Sequence, residues 1–494
     1  MVTNKLLLAA VLTCIAYTLA ISSLLKSDVQ LDLLSSYSTI SQSKYQQYPD
    51  LYDSQKSTIQ GSFSASLFET SQAKLLFSGC ENFYAPYADT YPSVVFYNVS
   101  SDSIVEASRL SVPAGTGQTN GLVSTTANNR YVAISRYTPI GFVSPFVSQS
   151  FQIYIYNYSE AGIIGSTPVT VYDMSQLAVN FYSSSVSYNG LSGISSDGKW
   201  LMATYAVGFP IIGAITGQKH VLLRVSSDHA TITASVTIDT LPTGFPRLFS
   251  FPQKTVLYPT ASNPTKYHFV SADNSWNLTS PLGFTASVTS YIFDSVANTL
   301  TFADSSYVAQ YIEGFDVDSK NSIVYSITNE VSSNGVSTLQ FPRIPYDNAA
   351  VDKNSELRAW KLSDNGNLTY RGGLEIGGDG VQVRPSPNGK YLAVTYAGII
   401  DNDVEYTTFV GFGNISRTYA PTVVNLYQVK ARDDYLSLDL LDSSPASPLS
   451  FGLTFDAQSS ELAVVGQSTY RVLPNGFNVG QKDVQLYRLL YQDN

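Results

Sequence analysis

Residues 384–395 read RPSPNGKYLAVT, which is the pattern of a tight β-hairpin. Pro385 and Pro387 punctuate its turn, and Asn388-Gly389 supplies residues that tolerate a positive φ angle. Tyr391–Thr395 then alternates as a strand does. The same unit recurs along the chain, and that recurrence predicts the fold.

Hairpins of this kind consist of an apolar strand, a polar turn and a second apolar strand. They span residues 63–77, 121–135, 191–204, 247–258, 315–326, 381–395 and 452–465. A third-strand signal follows each of them, at residues 94–97, 152–156, 221–225, 267–270, 357–362, 423–427 and 484–487. Repeated four-stranded sheets that bury both faces against their neighbours are typical of a β-propeller. We therefore predict an all-β chain with seven four-stranded blades.

Two segments complicate this prediction. A further hairpin signal at residues 290–302 has no third strand of its own. It is interpreted as an insertion or as the outer part of the fourth blade, and an eight-bladed ring is the alternative. The last unit lacks a fourth strand, which would leave an open edge. Residues 28–34 (DVQLDLL) resemble the preceding unit's fourth strand at residues 435–441 (YLSLDLL), so we expect the N-terminal strand to close the last blade.

Residues 1–20 have the features of a secretory signal peptide. Lys5 precedes an apolar stretch at residues 6–25, and Thr18-Leu19-Ala20 offers a small-residue cleavage site. The apolar stretch is also about long enough to span a bilayer, so an uncleaved membrane anchor is the alternative. The chain thus divides into a signal segment (1–20), a closing strand with a linker (21–60) and the propeller (61–494). This organisation predicts a secreted or cell-surface protein.

The composition restricts the class of partner. Charged residues make up 13% of the chain, the formal net charge is −10 and the pI is about 4.8. No run rich in Lys or Arg occurs, which argues against nucleic-acid binding, because such binding needs a basic footprint. Cleavage of the signal would leave Cys80 as the remaining cysteine. Cys80 is then either a small buried apolar residue or the site of an intermolecular disulfide.

Residues 357–395 carry a resemblance to a known superfamily. They contain RAWKLSDNG at 358–366 and RPSPNGKYL at 384–392. This stretch resembles the blades of WD40-like and lactonase-type β-propellers, which have an Asp-Gly turn between outer strands and an SPDGKYL-type hairpin between inner strands. The resemblance implies the fold and leaves the activity open, because propellers include hydrolases, lyases, receptors and scaffolds.

Long aromatic loops form the candidate binding surface. In a propeller, the connections between strands two and three share one face with the blade-to-blade connections. The segments 79–92, 136–150, 205–219, 328–356 and 397–421 are predicted to lie on that face and are too aromatic for disordered linkers. Their aromatic side chains either pack the loops onto the disc or contact a partner. The predicted contact residues are Phe83, Tyr84, Tyr87, Tyr91, Tyr137, Phe142, Tyr346, Tyr406 and Tyr419.

The sequons for N-glycosylation support export. They are Asn98, Asn157, Asn277, Asn367 and Asn414. The first four fall at the ends of predicted third strands, on the face opposite the long loops. Asn414 falls between a second and a third strand.

Signals for catalysis or metal binding are sparse. His220 and His268 are placed in strands and His229 in an outer turn, and no hydrolase, zinc-protease or C-x-x-C motif occurs. Asp401, Asp403 and Glu405 could offer carboxylates to Ca²⁺, although such a run is also typical of a solvated loop.

A second group of acidic residues is also a candidate for catalysis or metal binding. Glu313, Asp316 and Asp318 alternate along a predicted strand and are expected to cap a hairpin.

We therefore expect an exported, glycosylated propeller without a required cofactor. It would bind a protein or glycan partner, or form part of an extracellular assembly, through its aromatic loops. The alternative is a lactonase- or cyclase-like enzyme with carboxylates at the central channel. Convergence of two or more acids on a central pocket would favour that alternative.

Overall fold

The structure, a computed structural model, describes most of the propeller and the segment that closes it. The described residues are 29–38, 60–82, 93–100, 103–111, 122–137, 152–173, 185–209, 214–228, 231–239, 247–251, 255–277, 284–308, 311–329, 355–376, 379–399, 406–410, 413–417, 419–432, 435–446, 450–472 and 478–491. Every regular element among them is a β-strand. They include no helix that is long and apolar enough to cross a membrane.

The first three blades follow one another along the chain. Blade 1 contains β2 (Gln60–Glu69), β3 (Lys74–Asn82), β4 (Ser93–Val99) and β5 (Ile104–Ser111). Blade 2 contains β6 (Leu122–Ala127), β7 (Tyr131–Tyr137), β8 (Gln152–Asn157) and β9 (Thr170–Asp173). Blade 3 contains β10 (Ser185–Ile194), β11 (Trp200–Phe209), β12 (Ala214–Val225) and β13 (Ile232–Asp239).

The remaining blades complete the ring. Blade 4 contains β15 (Thr255–Pro259), β16 (Lys266–Asn277), β17 (Phe284–Asp294) and β18 (Thr299–Val308), and β14 (Arg247–Phe251) joins it to blade 3. Blade 5 contains β19 (Tyr311–Asp318), β20 (Ile323–Asn329), β21 (Ser355–Leu362) and β22 (Leu368–Ile376). Blade 6 contains β23 (Asp379–Pro385), β24 (Tyr391–Ile399), β27 (Tyr419–Ala431) and β28 (Leu436–Pro445), with an inserted hairpin of β25 (Tyr406–Val410) and β26 (Gly413–Arg417). Blade 7 contains β29 (Ser450–Phe455), β30 (Glu461–Val472), β31 (Asn478–Tyr491) and β1 (Val29–Ser38).

The described strands therefore form the seven-bladed β-propeller that the repeats predict. Every strand pair is antiparallel, and the first strand of each blade lies at its inner edge. The predicted N-terminal closing strand is confirmed, because β1 pairs with β31 in the register Leu31↔Leu489 and Leu33↔Tyr487. The backbone N–H of Leu31 also donates to Asp442 Oδ2 of blade 6 at 2.7 Å, which fixes the closing strand to the preceding blade.

The repeated hairpin owes its geometry to a serine and a side-chain acceptor two residues later. In blade 6, Ser386 Oγ donates to Asn388 Oδ1 at 2.8 Å and accepts from Tyr391 N–H at 2.9 Å. Gly389 occupies the turn with φ of +69°, a conformation that favours glycine. The corresponding turn of blade 3 repeats the pattern, with Ser195 Oγ donating to Asp197 Oδ1 at 2.7 Å.

Blade 4 departs from the predicted strand assignment. Residues 247–258 do not form a hairpin, because β14 and β15 both pair with β16, at Ser250↔Ser275 and Val256↔Val270. The run at 267–270 therefore belongs to the second strand rather than to the third. The hairpin at 290–302 supplies the third and fourth strands, so its interpretation as the outer part of the fourth blade is confirmed. The ambiguity arises because second and third strands are both buried on two faces and read alike.

The hydrophobic core lies between neighbouring blades. Trp200 of blade 3 packs edge-on against Phe293 of blade 4, with ring centroids 4.8 Å apart. Trp360 of blade 5 is buried, and its Nε1 donates to Ser306 Oγ of blade 4 at 3.0 Å. Burying a large apolar side chain stabilises a fold by roughly 1.5–3 kcal/mol, so such contacts hold successive blades together.

Candidate functional site

The two faces of the disc carry very different connections. In each blade, one turn connects the first strand to the second and another connects the third strand to the fourth. These turns lie on one face of the disc, here called the turn face. On the opposite face, the loop face, lie the blade-to-blade connections and those between second and third strands. The latter include residues 83–92, 138–151, 278–283, 330–354 and 473–477. These connections have 10, 14 and 25 residues in blades 1, 2 and 5, so the predicted length is confirmed there, but only 4, 6 and 5 residues in blades 3, 4 and 7.

Two of the predicted loop segments are partly strand. Residues 205–219 belong largely to β11 and β12, which pair continuously from Trp200↔Arg224 to Phe209↔Ala214. The segment 397–421 contains the β25–β26 hairpin, paired from Tyr406↔Arg417 to Val410↔Gly413. Strand extension rather than irregular loop therefore builds these parts of the loop face.

Three of the predicted contact residues lie at loop-face ends of strands. Tyr137 is the last residue of β7, Tyr406 the first of β25 and Tyr419 the first of β27. The strand order thus brings residues of blades 2 and 6 to one face. The other predicted contacts lie outside the described residues; they are Phe83, Tyr84, Tyr87, Tyr91, Phe142 and Tyr346.

The sequons are divided between the two faces. Asn98, Asn157 and Asn367 are exposed and lie at the turns between third and fourth strands, as predicted. The predicted position of Asn277 is wrong, because it ends β16, the second strand of blade 4, and so lies on the loop face. Asn414 lies in β26, also on the loop face, as predicted.

An arginine joins three inner strands around the central channel. Arg384 of β23 places Nη1 2.7 Å from Asp316 Oδ2 of β19, and its Nε donates to the Leu453 carbonyl oxygen of β29 at 2.8 Å. The side chain of Arg384 is 34% exposed, whereas that of Asp316 is 10% exposed. Asp316 and Leu453 lie within three residues of the ends of their strands at the turn face. Arg384 therefore lies near the turn-face mouth of the channel and links blades 5, 6 and 7.

Hydroxyl groups join other inner strands. Ser64 Oγ and Thr125 Oγ1 are 3.0 Å apart between blades 1 and 2, and Ser192 Oγ and Thr255 Oγ1 are 2.7 Å apart between blades 3 and 4. Thr454 Oγ1 of blade 7 accepts from the Leu67 N–H of blade 1 at 3.2 Å. These contacts, like that of Arg384, satisfy polar groups at blade boundaries.

The inner-strand acids have structural partners. Asp318 accepts from Lys320 N–H at 2.9 Å and from Asn321 N–H at 3.0 Å, so the prediction that it caps a hairpin is confirmed. Burial, with a smaller contribution from the charge of Asp316, raises the pKa of Asp318 above its ordinary value. Asp316 itself is engaged by Arg384. No group of three or more His, Cys, Asp and Glu side chains suited to a metal ion occurs among the described residues.

Asp401, Asp403 and Glu405 lie outside the described residues, and a calcium site there stays a prediction.

The buried histidines lie at the two boundaries of blade 4. His220 Nε2 of blade 3 is 3.4 Å from Asp273 Oδ1 of blade 4, and Asp273 Oδ2 accepts from Ser271 Oγ at 3.0 Å. His268 packs against Tyr258, and burial lowers its pKa below the ordinary value. His220 and His268 are each no more than 2% exposed, so a substrate has no access to them. The prediction that both lie in strands is confirmed, whereas His229 lies outside the described residues.

The turn face carries exposed basic side chains that were not predicted from the sequence. Five of the first turns carry an exposed Lys or Arg at or near the start of the second strand; they are Arg130, Lys199, Lys266, Lys320 and Lys390. We call these residues the basic arc. A search for basic runs cannot detect them, because each lies in a different repeat. The position of the basic residue within the repeat, as in Gly389-Lys390-Tyr391, was the available signal.

Comparison with known proteins finds solved structures of similar fold. No family model and no curated protein matches the chain. In structure it is similar to a putative 6-phosphogluconolactonase from Bacteroides uniformis, with 12% identity, a TM-score of 0.40, and coverage of 78% of this chain and 85% of the other. A putative 6-phosphogluconolactonase from Bacteroides fragilis is 13% identical, with a TM-score of 0.39 and coverage of 77% of this chain and 86% of the other. The WD40 repeats of RRP9 are 12% identical, with a TM-score of 0.39 and coverage of 87% of this chain and 98% of the other.

These similarities concern the fold alone. The predicted resemblance to WD40-like and lactonase-type propellers is confirmed at that level, since the described strands have the seven-bladed topology.

Proposed function

We propose that this chain is an exported, N-glycosylated propeller that binds a protein or glycan partner through aromatic residues of its loop face. One observation carries the proposal, namely the difference between the two faces. Apart from residues 158–169, the turns of the turn face have at most six residues, whereas the aromatic segments between second and third strands have 10, 14 and 25 residues in blades 1, 2 and 5. A rigid scaffold that presents long loops on one side is a common arrangement for binding.

The chemistry of the loop segments supports this proposal. Tyr and Phe provide large contact areas at a low cost in side-chain entropy, and they are enriched at interfaces. Tyr137, Tyr406 and Tyr419 start or end strands, so their backbones are held by the sheet. A binding residue held in this way loses little freedom when a partner docks.

Export is the second part of the proposal. It rests on the signal-like segment 1–20 and on the sequons, three of which are exposed at turns. The expected product in the medium begins near residue 21 and loses mass on treatment with an N-glycosidase. Intracellular retention of a full-length, unglycosylated chain would contradict this part.

Replacement of Tyr84, Tyr87 and Tyr406 by Ala tests the binding role. Each tyrosine that anchors the partner is expected to contribute on the order of 1–2 kcal/mol to association, with little effect on folding stability. The measurement is the affinity of the full chain for the partner that co-purifies with it from its native source. A triple variant that unfolds at the same temperature and binds with unchanged affinity would contradict the assignment.

The matched control for this experiment removes side chains from the other face. Replacement of Asn98 and Asn157 by Gln changes exposed residues of the turn face and should leave the affinity unchanged.

A further inference from the structure

The basic arc surrounds part of the channel mouth on the turn face. Arg130, Lys199 and Lys390 each directly precede the second strand of their blade, Lys266 begins one, and Lys320 lies in the turn before β20. Second strands lie next to the inner strands, so these residues occupy the inner part of the turn face. The fold thus collects side chains that are far apart in the sequence into one arc over blades 2 to 6.

Most charges of the arc have no ionic partner among the described residues. Lys199 Nζ lies 3.0 Å from Asp197 Oδ2. Arg130, Lys266, Lys320 and Lys390 form no ion pair within the described part of the chain, and all four are exposed. The arc therefore presents positive charge on a chain whose formal net charge is −10.

The rest of the turn face differs from the arc. Between blades 7 and 1, Lys74 is neutralised by Asp456 at 3.1 Å and Glu461 at 2.8 Å, so this sector has no excess of positive charge. Two further acids lie in the outer turns. Exposed Glu160 accepts from Ser71 N–H of blade 1 at 2.7 Å, and half-buried Asp294, which lies opposite Lys266, accepts from Val296 N–H at 2.9 Å. In blades 2 to 6, the inner turns therefore carry five basic residues against two acids, Asp197 and Asp318, which leaves an excess of positive charge.

Arg384 adds donors at the centre of this region. Its contacts with Asp316 and Leu453 use two N–H groups of the guanidinium. A guanidinium has five such groups, and the others make no hydrogen bond to a further described residue. A carboxylate that reaches the channel mouth would therefore meet free donors as well as a favourable field.

We propose that the basic arc is a docking site for an acidic peptide segment of a partner protein. Charge complementarity selects an anionic occupant. The exposed sequons Asn98, Asn157 and Asn367 lie in outer turns of the same face, and their glycans would hinder a broad protein surface but admit a slender chain. This site is distinct from the aromatic loop face and does not depend on it.

The distribution of charge favours a peptide over nucleic acid. Duplex DNA carries a charge about every 1.7 Å and matches a dense basic stripe. The arc instead offers about one cation per blade, which suits carboxylates on flexible side chains of an extended segment. Because the cations are exposed, binding should weaken strongly with added salt.

The test uses the full chain and a fluorescent peptide rich in glutamate, of about twelve residues, which spans roughly 40 Å when extended. Fluorescence anisotropy gives the affinity at low and at moderate ionic strength. The variant Lys266→Ser, Lys320→Ser, Lys390→Ser should bind at least about tenfold more weakly than the unmodified chain. The unmodified chain should also lose affinity as salt is added.

A matched variant separates location from net charge. Arg109→Ser, Lys430→Ser, Arg432→Ser removes the same amount of charge from exposed residues of outer strands and turns. It should bind the peptide within about twofold of the unmodified chain, since it leaves the arc intact. Circular dichroism and thermal unfolding confirm that both variants are folded.

Three outcomes would overturn the proposal. The first is equal weakening in both variants, which would indicate an effect of net charge. The second is no measurable binding of the peptide at low salt. The third is tighter binding of a sulfated oligosaccharide or a single-stranded oligonucleotide than of the peptide, which would assign the arc to another polyanion. A loss of binding confined to the arc variant, with the peptide as the preferred probe, would support it.

Discussion

The turn face and the loop face of this propeller are held in different ways. On the turn face, hydrogen bonds connect one blade to the next. Tyr267 Oη donates to Asp197 Oδ2 at 2.7 Å between blades 4 and 3, and Asn321 Nδ2 donates to the Gly389 carbonyl oxygen at 2.7 Å between blades 5 and 6. On the loop face, Gly380 N–H of blade 6 donates to Ser355 Oγ of blade 5 at 2.7 Å, and the connections between second and third strands vary from 4 residues in blade 3 to 25 in blade 5.

This difference indicates a division of labour. The turn face repeats one hairpin and bonds it to its neighbours, so a change there should affect the stability of the ring. The loop face can vary the length of its connections at a small thermodynamic cost, because the entropy of loop closure depends only weakly on loop length. Binding specificity is therefore expected on the loop face, with stability determined mainly at the turn face and in the core.

The largest expected effect on the turn face concerns Lys74. Its ammonium group lies between Asp456, which is 1% exposed, and Glu461, which is 12% exposed. Replacement by Met would leave these carboxylates without their cation, and an uncompensated buried charge is costly. We expect Lys74→Met to lower the free energy of unfolding by about 2 kcal/mol or more, as measured by urea denaturation. A midpoint unchanged from the parent chain would show that the cross-blade contact contributes nothing.

Gly389 provides a smaller test of the same face. Its φ is +69°, and an added Cβ would lie 2.5 Å from Asn321 Nδ2 of the neighbouring blade. Gly389→Ala is therefore expected to cost about 1–2 kcal/mol of stability. Gly165, also in a turn-face connection, would place a Cβ no closer than 3.5 Å to any atom. Gly165→Ala should be neutral or stabilise by about 0.5 kcal/mol, and equal losses in both variants would contradict this account.

The pH dependence of stability tests the buried histidine at the boundary of blades 4 and 5. Burial lowers the pKa of His268 below its ordinary value of 6.5, and the charge of Asp364 opposes this shift. As the pH falls below about 6.5, the unfolded chain takes up the proton first. The contribution of neutral His268 to the free energy of unfolding is therefore complete above this pH. It is lost as the pH falls toward the folded-state pKa, by at most about 1.4 kcal/mol per pH unit.

The control for this prediction is the apolar replacement His268→Phe. Urea midpoints measured between about pH 7.5 and 5.5 should fall less steeply for this variant than for the parent chain. Parallel pH profiles would mean that His268 is not the group that titrates.

The local sequence predicts the strands of blade 6 correctly, whereas it gives a wrong strand assignment in blade 4. In blade 6, Ser386, Asn388 and Gly389 specify the turn through contacts within a few residues. In blade 4, the inner position is shared by β14 and β15, and this pairing with β16 is not encoded in a short motif. Because residues 267–270 were predicted as the third strand rather than the second, Asn277 was predicted on the wrong face.

The site residues show the same limit. Loop aromatics are visible in the sequence as composition, whereas the partner of Arg384 is Asp316 in another repeat. The basic arc also depends on the ring bringing distant turns together. Such features follow from tertiary assembly, and short-range periodicity carries no information about them.

The assignment of the partner to the loop face is tested most directly by blocking one face at a time. Asn414→Cys, on the loop face, and Asn367→Cys, on the turn face, are modified with a polyethylene glycol maleimide, and the parent chain treated alike controls for reaction at Cys80. The measurement is the affinity of each product for the partner that co-purifies with the chain. We predict that modification at residue 414 abolishes association and that modification at residue 367 leaves it within about twofold of the control. Association lost at residue 367 and retained at residue 414 would contradict the assignment of the faces.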